Sequence, residues 1–137
     1  MKHHPNQETE IRIIISFYGD NYDPAIVTEK LKINPTKTWN KGDKKGATSL
    51  VHKDYGWYFA LEKFYLNELS ICLFQMIELL EPKKNLITEL IDQYKLDAVI
   101  SCYVVPNRKH NPDLFLDNNL INRIAALNCS LDIDINV

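Results

Sequence analysis

Ile11, Ile13, Ile15 and Phe17 alternate with Arg12, Ile14, Ser16 and Tyr18, the two-residue period of a strand with one apolar face. After a Gly19-Asp20-Asn21 turn, Asp23 can cap a short helix with Pro24 at its first position, where a missing N–H costs nothing. Val27 and Leu31, one helical turn apart, would bury that helix. Pro35 bars further helix, and residues 36–39 read as a short strand before a polar loop over 41–46. The segments 48–53 and 56–63 read as a hairpin around Asp54-Tyr55. Leu66, Leu69, Leu73, Met76, Ile77 and Leu80 predict a helix over 66–80 by their three- and four-residue spacing. Pro82 ends or bends it, and a second helix runs over 83–94. A strand over 97–105 stops at Pro106, a basic loop follows over 107–112, and 114–116 reads as a short strand. Asp117 caps a helix to Leu127 that buries Leu120, Ile121 and Ile124. At the end, Cys129, Leu131, Ile133 and Ile135 face one way, and Ser130, Asp132, Asp134 and Asn136 the other.

The order β-α-β-β-α-β with a β-α-β tail argues for an α+β fold. The expectation is a mostly antiparallel sheet with helices on one face, ferredoxin-like with an added C-terminal β-α-β. Alternation, in place of continuous apolar runs, implies that the other face stays partly open. Strand, Asp-capped helix and extended chain at 11–39 and again at 114–136 form a faint echo that raises a duplication.

Composition narrows the function classes. At 137 residues the chain suits one domain, taken as 11–137 behind a flexible N-terminal stretch of residues 1–10. With 45% apolar and 25% charged residues it has a soluble globular composition, and a net charge of -2 offers no field that would gather nucleic acid or an anionic membrane. Neither is expected as a partner. Cys72, Cys102 and Cys129 are odd in number and contain no Cys-x-x-Cys pair, so they read as buried free thiols in a reducing cytoplasm. The polar start resembles no signal peptide, and Asn67, Glu68, Gln75 and Glu78 interrupt the longest apolar helix.

The candidate chemistry concentrates over residues 23–57, which hold both tryptophans, three of the four glycines and seven of the sixteen Lys and Arg. Trp39, Lys41, Gly42, Asp43 and Trp57 form a partner- or ligand-binding candidate: indoles can stack, and backbone amides near Gly42 can hold an anion. The competing reading makes Trp57 core and Trp39 a pin for the loop. Asp132 and Asp134, about 7 Å apart on one strand face, are a further binding candidate. The alternative is a solvated face paired across strands with Arg12 or Lys53. Residues 41–46 lack the Gly-Lys-Ser/Thr ending of a P-loop. His3, His4, His52 and His110 have no ligand spacing, and no nucleophile–base set or Gly-x-Ser-x-Gly elbow occurs. No catalytic residue, metal site or cofactor is assigned, and the reading leans against an enzyme.

Phe17 and Gly19, Asp23-Pro24, Leu31-Lys32-Ile33-Asn34-Pro35-Thr36, Trp39, Lys41-Gly42-Asp43, Gly56-Trp57 and Leu131-Asp132-Ile133-Asp134 occur in an order that resembles the bacterial family catalogued as domain of unknown function 4279. The resemblance spans about residues 11–136 and implies a small, usually single-domain bacterial protein, with no activity or site residue to carry over. The function expected is a non-enzymatic binding domain whose partner is another protein, with a homodimer as a further possibility. Its alternatives are an immunity-type inhibitor of a toxin, by analogy with small acidic bacterial proteins, and a small-ligand protein or enzyme with a cleft near Trp39.

Overall fold

The computed structural model describes residues 8–136. Its central strand is β1, Glu10–Gly19, and the alternation seen in sequence is realised in burial. Ile11, Ile13, Ile15 and Phe17 are fully buried, whereas Arg12, Ile14 and Tyr18 are half-buried. The remaining strands are β2 (Lys37–Trp39), β3 (Tyr55–Ala60), β4 (Phe64–Tyr65), β5 (Asp97–Val105) and β6 (Ser130–Ile135). They form one sheet in the order β2-β3-β1-β5-β6, with β4 pairing the start of β1 beyond the end of β3. Every pairing is antiparallel except β5 with β6. The class is therefore α+β, with a mostly antiparallel sheet.

Four α-helices complete the described chain: α1 (Ala25–Leu31), α2 (Leu69–Leu80), α3 (Lys84–Tyr94) and α4 (Asn118–Ala126). The Asp117 carboxylate accepts from Leu120 N–H at 2.8 Å, the cap expected for α4; α1 instead starts at Ala25 with Pro24 at its N-cap, and the Asp23 carboxylate accepts from Ala25 N–H at 3.0 Å just ahead of it. Pro82 sits in a 3-10 turn, Glu81–Lys83, between α2 and α3. From α2, Leu69, Cys72, Leu73, Met76, Ile77 and Leu80 join the buried residues of β1 in one core. Val27 and Leu31 of α1, Ile87 and Leu90 of α3, and Leu120 and Ile124 of α4 belong to the same core. Each large apolar side chain buried there contributes about 1.5–3 kcal/mol.

Several expected elements differ. The segment 48–53 is not a strand; β3 pairs instead with β2, and the intervening loop carries a single bridge between Lys44 and Val51. α2 begins at Leu69, not Leu66, because Glu68 is extended and bridged to Asp113. Leu69 N–H donates to the Asp113 carbonyl at 3.0 Å, and Asp113 N–H donates to that of Asn67 at 2.6 Å. That tie holds 114–116 outside the sheet, so the strand expected there is absent and the echo of 11–39 loses its first element. Ile121, expected in the core, is 50% exposed. β6, the cleanest alternation in the sequence, is an outer strand whose Ile133 and Ile135 stay partly exposed. Of the N-terminal stretch, residues 1–7, with His3 and His4, lie outside the described residues; Thr9 is buried, and its hydroxyl donates to the Asn67 side chain.

Candidate binding surface

The register of β1 dictates which side chains share its second face. Arg12 stands opposite Tyr103 of β5, Ser16 opposite Tyr58 of β3, and Tyr18 opposite Gly56 of β3. On β2, Lys37 lies across from Tyr58 and Trp39 across from Gly56. Gly56 thus sits between Tyr18 and Trp39, and it has no side chain because the indole occupies that space. A Cβ there would overlap Trp39 at Cζ2 and Cε2. Trp39 also stacks on His52, with ring centroids 4.5 Å apart and planes at 18°. Its Nε1–H donates to Asp54 at 3.3 Å. Tyr18 and Tyr58 close around it at 5.9 and 6.2 Å.

This arrangement lines a trough of about 480 Å³ over the middle of the sheet, with Arg12, Tyr18, Trp39, Tyr58, Lys63 and Tyr103 in its walls. Lys63 is paired with Glu10 at 3.6 Å. A second hollow of about 400 Å³ lies on the other flank of Trp39, bounded by Lys37, Lys45, His52 and Asp54. Tyr103 is 37% exposed. These tyrosines are not among the sequence candidates, because the residues meet only through pairing of three strands far apart in the chain. The legible sign was the period of β1 and β5, which puts Arg12, Tyr18 and Tyr103 on one face.

The sequence candidates divide. Trp39 is at the trough. Trp57, one residue from Gly56, alternates to the opposite face and is fully buried. It meets Phe17 edge-on at 5.6 Å, and its Nε1–H donates to the Thr28 hydroxyl at 3.0 Å. It is core and offers nothing to a ligand. Lys41, Gly42 and Asp43 lie exposed in the loop beyond β2. Asp43 organises that loop: its carboxylate accepts from Asn40 N–H at 2.8 Å, and its carbonyl accepts from His52 N–H at 2.8 Å. Gly42, at φ 93°, takes the left-handed turn that brings its own N–H to the His52 carbonyl at 2.8 Å.

Asp132 and Asp134 are exposed on β6, opposite Ser101 and Tyr103. β6 and β2 are the two outer strands, so at ~4.8 Å per step the aspartates lie roughly 19 Å from Trp39. Asp134 stands beside Tyr103, a trough residue, so the two candidates lie towards opposite edges of one sheet face. The expected pairing of these aspartates with Arg12 or Lys53 is not made among the described residues.

Elsewhere, Arg123 of α4 grips Glu81, donating from Nε at 2.9 Å, and Glu78, donating from Nη2 at 3.0 Å. The Arg123 hydrogen bond holds the Glu81 carboxyl below its ordinary value. Burial pushes the thiols of Cys72, Cys102 and Cys129 up to about 12, and all three are free. Cys129 is only half-buried, unlike the other two. Burial also raises the Tyr22 hydroxyl, which donates to the Phe17 carbonyl at 2.8 Å. Among the described residues, no three His, Cys, Asp or Glu side chains converge as metal ligands. Nor is any described helix long and apolar enough to cross a membrane.

The model of one protein family, described as a domain of unknown function (DUF4279), matches residues 9–137. The chain belongs to the DUF4279 family. No curated protein and no solved structure matches it. The DUF4279 description covers residues 9–137 and assigns none of them a role.

Proposed function

We propose that this DUF4279 chain is a non-enzymatic recognition domain that binds another protein across the trough face of its sheet. On this reading all four helices back the opposite face. The order β2-β3-β1-β5 with antiparallel pairing throughout supports a ferredoxin-like frame, to which α4 and β6 are added. The helices' buried residues all join Ile11, Ile13, Ile15 and Phe17, which supports the one-sided placement.

The observation that carries the reading is the make-up of the trough. Arg12, Tyr18, Tyr58, Tyr103 and Trp39 are the residue types enriched where a few side chains dominate a protein interface. They are held by strands rather than loops, so little ordering entropy is lost on binding. In its sharpest form the partner is a toxin and the chain its inhibitor. The same reading takes the chain as a bacterial cytoplasmic protein; three free thiols favour a reducing compartment.

The test is capture from lysate by the full chain and by the Arg12→Ala/Tyr103→Ala double variant, which leaves the core untouched. A protein held by the parent and bound at least about tenfold more weakly by the variant is expected, the loss of roughly 1.4 kcal/mol or more. Equal retention by both chains would refute the reading. A trough of about 480 Å³ is also of small-molecule size, which supports a second reading as a ligand-binding protein. Mass spectrometry of small molecules released from the captured chain separates the two.

A further inference from the structure

The two outer strands of the sheet differ in what they offer a neighbour. β2 has three residues, carries Lys37 and follows Pro35, which leaves almost no ladder to extend. β6 has six residues, and among the described residues no strand lies beyond it. Asn136 N–H donates to the Val104 carbonyl at 2.9 Å, towards β5. By the alternation of a parallel pair, Ser130, Asp132 and Asp134 also turn their backbone groups to β5. Those of Leu131, Ile133 and Ile135 then point outwards. The side chains of Ile133 and Ile135 are 37% and 43% exposed on one face, and the Asp132 and Asp134 carboxylates are exposed on the other.

This edge is poorly suited to a second copy of the chain. A two-fold antiparallel pairing that keeps the trough faces together aligns Asp132 with Asp132, Asp132 with Asp134, or Asp134 with Asp134 whenever most of the strand is engaged. Like charges directly opposite destabilise a sheet. The same carboxylates suit a strand that brings cations.

We infer that the β6 edge accepts an extended segment of another polypeptide in which Lys or Arg alternates with apolar residues. The segment adds a strand to the sheet through the outward backbone groups of Leu131, Ile133 and Ile135. Its cations stand opposite Asp132 and Asp134, and its apolar side chains cover Ile133 and Ile135. Backbone bonds supply the docking and the two carboxylates the choice of partner. The inference rests on the edge and is independent of the trough.

The probe is a capped peptide of alternating Lys and Val, about eight residues long to span the strand, titrated into the isotope-labelled full chain. One comparison peptide alternates Glu and Val; another has the first peptide's composition with its lysines and valines in separate blocks. The Lys–Val peptide should slow exchange of the Leu131, Ile133 and Ile135 amides and bind at least about tenfold more tightly than either comparison. Asp132→Lys with Asp134→Lys should invert the order of the two alternating peptides. Ile133→Pro, which removes an outward N–H and no bond to β5, should abolish binding while the chain stays folded. Equal affinity for the alternating and block lysine peptides would reduce the effect to charge attraction and overturn the inference. So would unchanged amides at the three outward positions, or a homodimer that Ile133→Pro dissolves. Resonances of Tyr58 and Trp39, read in the same spectra, report the trough separately.

Discussion

Gly56 and Trp39 are best considered as one unit. The indole takes the volume that any other residue at 56 would need, and through it the loop of residues 40–54 is tied to the sheet by the His52 stack and the Asp54 hydrogen bond. Gly56→Ala should therefore cost about 1–3 kcal/mol, the range for forcing a methyl into packed space. It should also expel the indole, since the overlapping atoms belong to a rigid ring. Chemical denaturation gives the first effect, and a red shift of the Trp39 emission gives the second. Trp57, sealed against Phe17 and Thr28, should keep its buried emission in the variant. An unshifted spectrum would mean that the indole does not lie where the trough requires it.

Between elements, Arg123 is the main polar tie from α4 to the end of α2 and the turn that follows. Its bonds to Glu81 and Glu78 keep Glu81 ionised below its ordinary titration. A depressed carboxylate contributes stability above its unfolded value and loses it as the pH falls through its folded value. Arg123→Gln should thus lower the Tm near neutral pH, and the gap to the parent should close in acid. Both side chains are part-buried but still reach solvent, so the effect is modest and added salt should shrink it. A gap that persists at low pH and high salt would assign the loss to packing over Phe74, which the guanidinium covers at 5.0 Å.

How legible the elements were follows from how much period each carries. β1, β5, α3 and α4 each run for nine or more residues and match their expected spans closely. The short strand read over 36–39 is realised as β2, whereas β4 has two residues, too few for any period, and exists only because β1 offers a partner. The stretch 48–53 has apolar residues suited to a strand, but the chain doubles back at Gly42 and Gly46, leaving Leu50 and Val51 exposed. Proximity in sequence joined Trp57 to Trp39 as candidates; a strand period of two puts them on opposite faces. The loop and Trp39 could be singled out from composition. Arg12, Tyr58 and Tyr103 could be united only by the strand order.

For the whole molecule, the sheet is the organising fact: β1 sends Ile11, Ile13, Ile15 and Phe17 into the core, and the trough gathers aromatic side chains, one guanidinium and open volume. A different surface competes for the same role. Ile71, Phe74 and Phe115, between α2 and α4, are 47%, 40% and 73% exposed around a hollow of about 400 Å³. Side-chain footprinting by hydroxyl radicals, on the full chain alone and in complex with the protein it captures, distinguishes them in one measurement. The account predicts that Tyr103, Tyr58 and Trp39 are protected in the complex while Phe74 and Phe115 label as before. Protection of Phe74 and Phe115 with the three trough aromatics unchanged would contradict it.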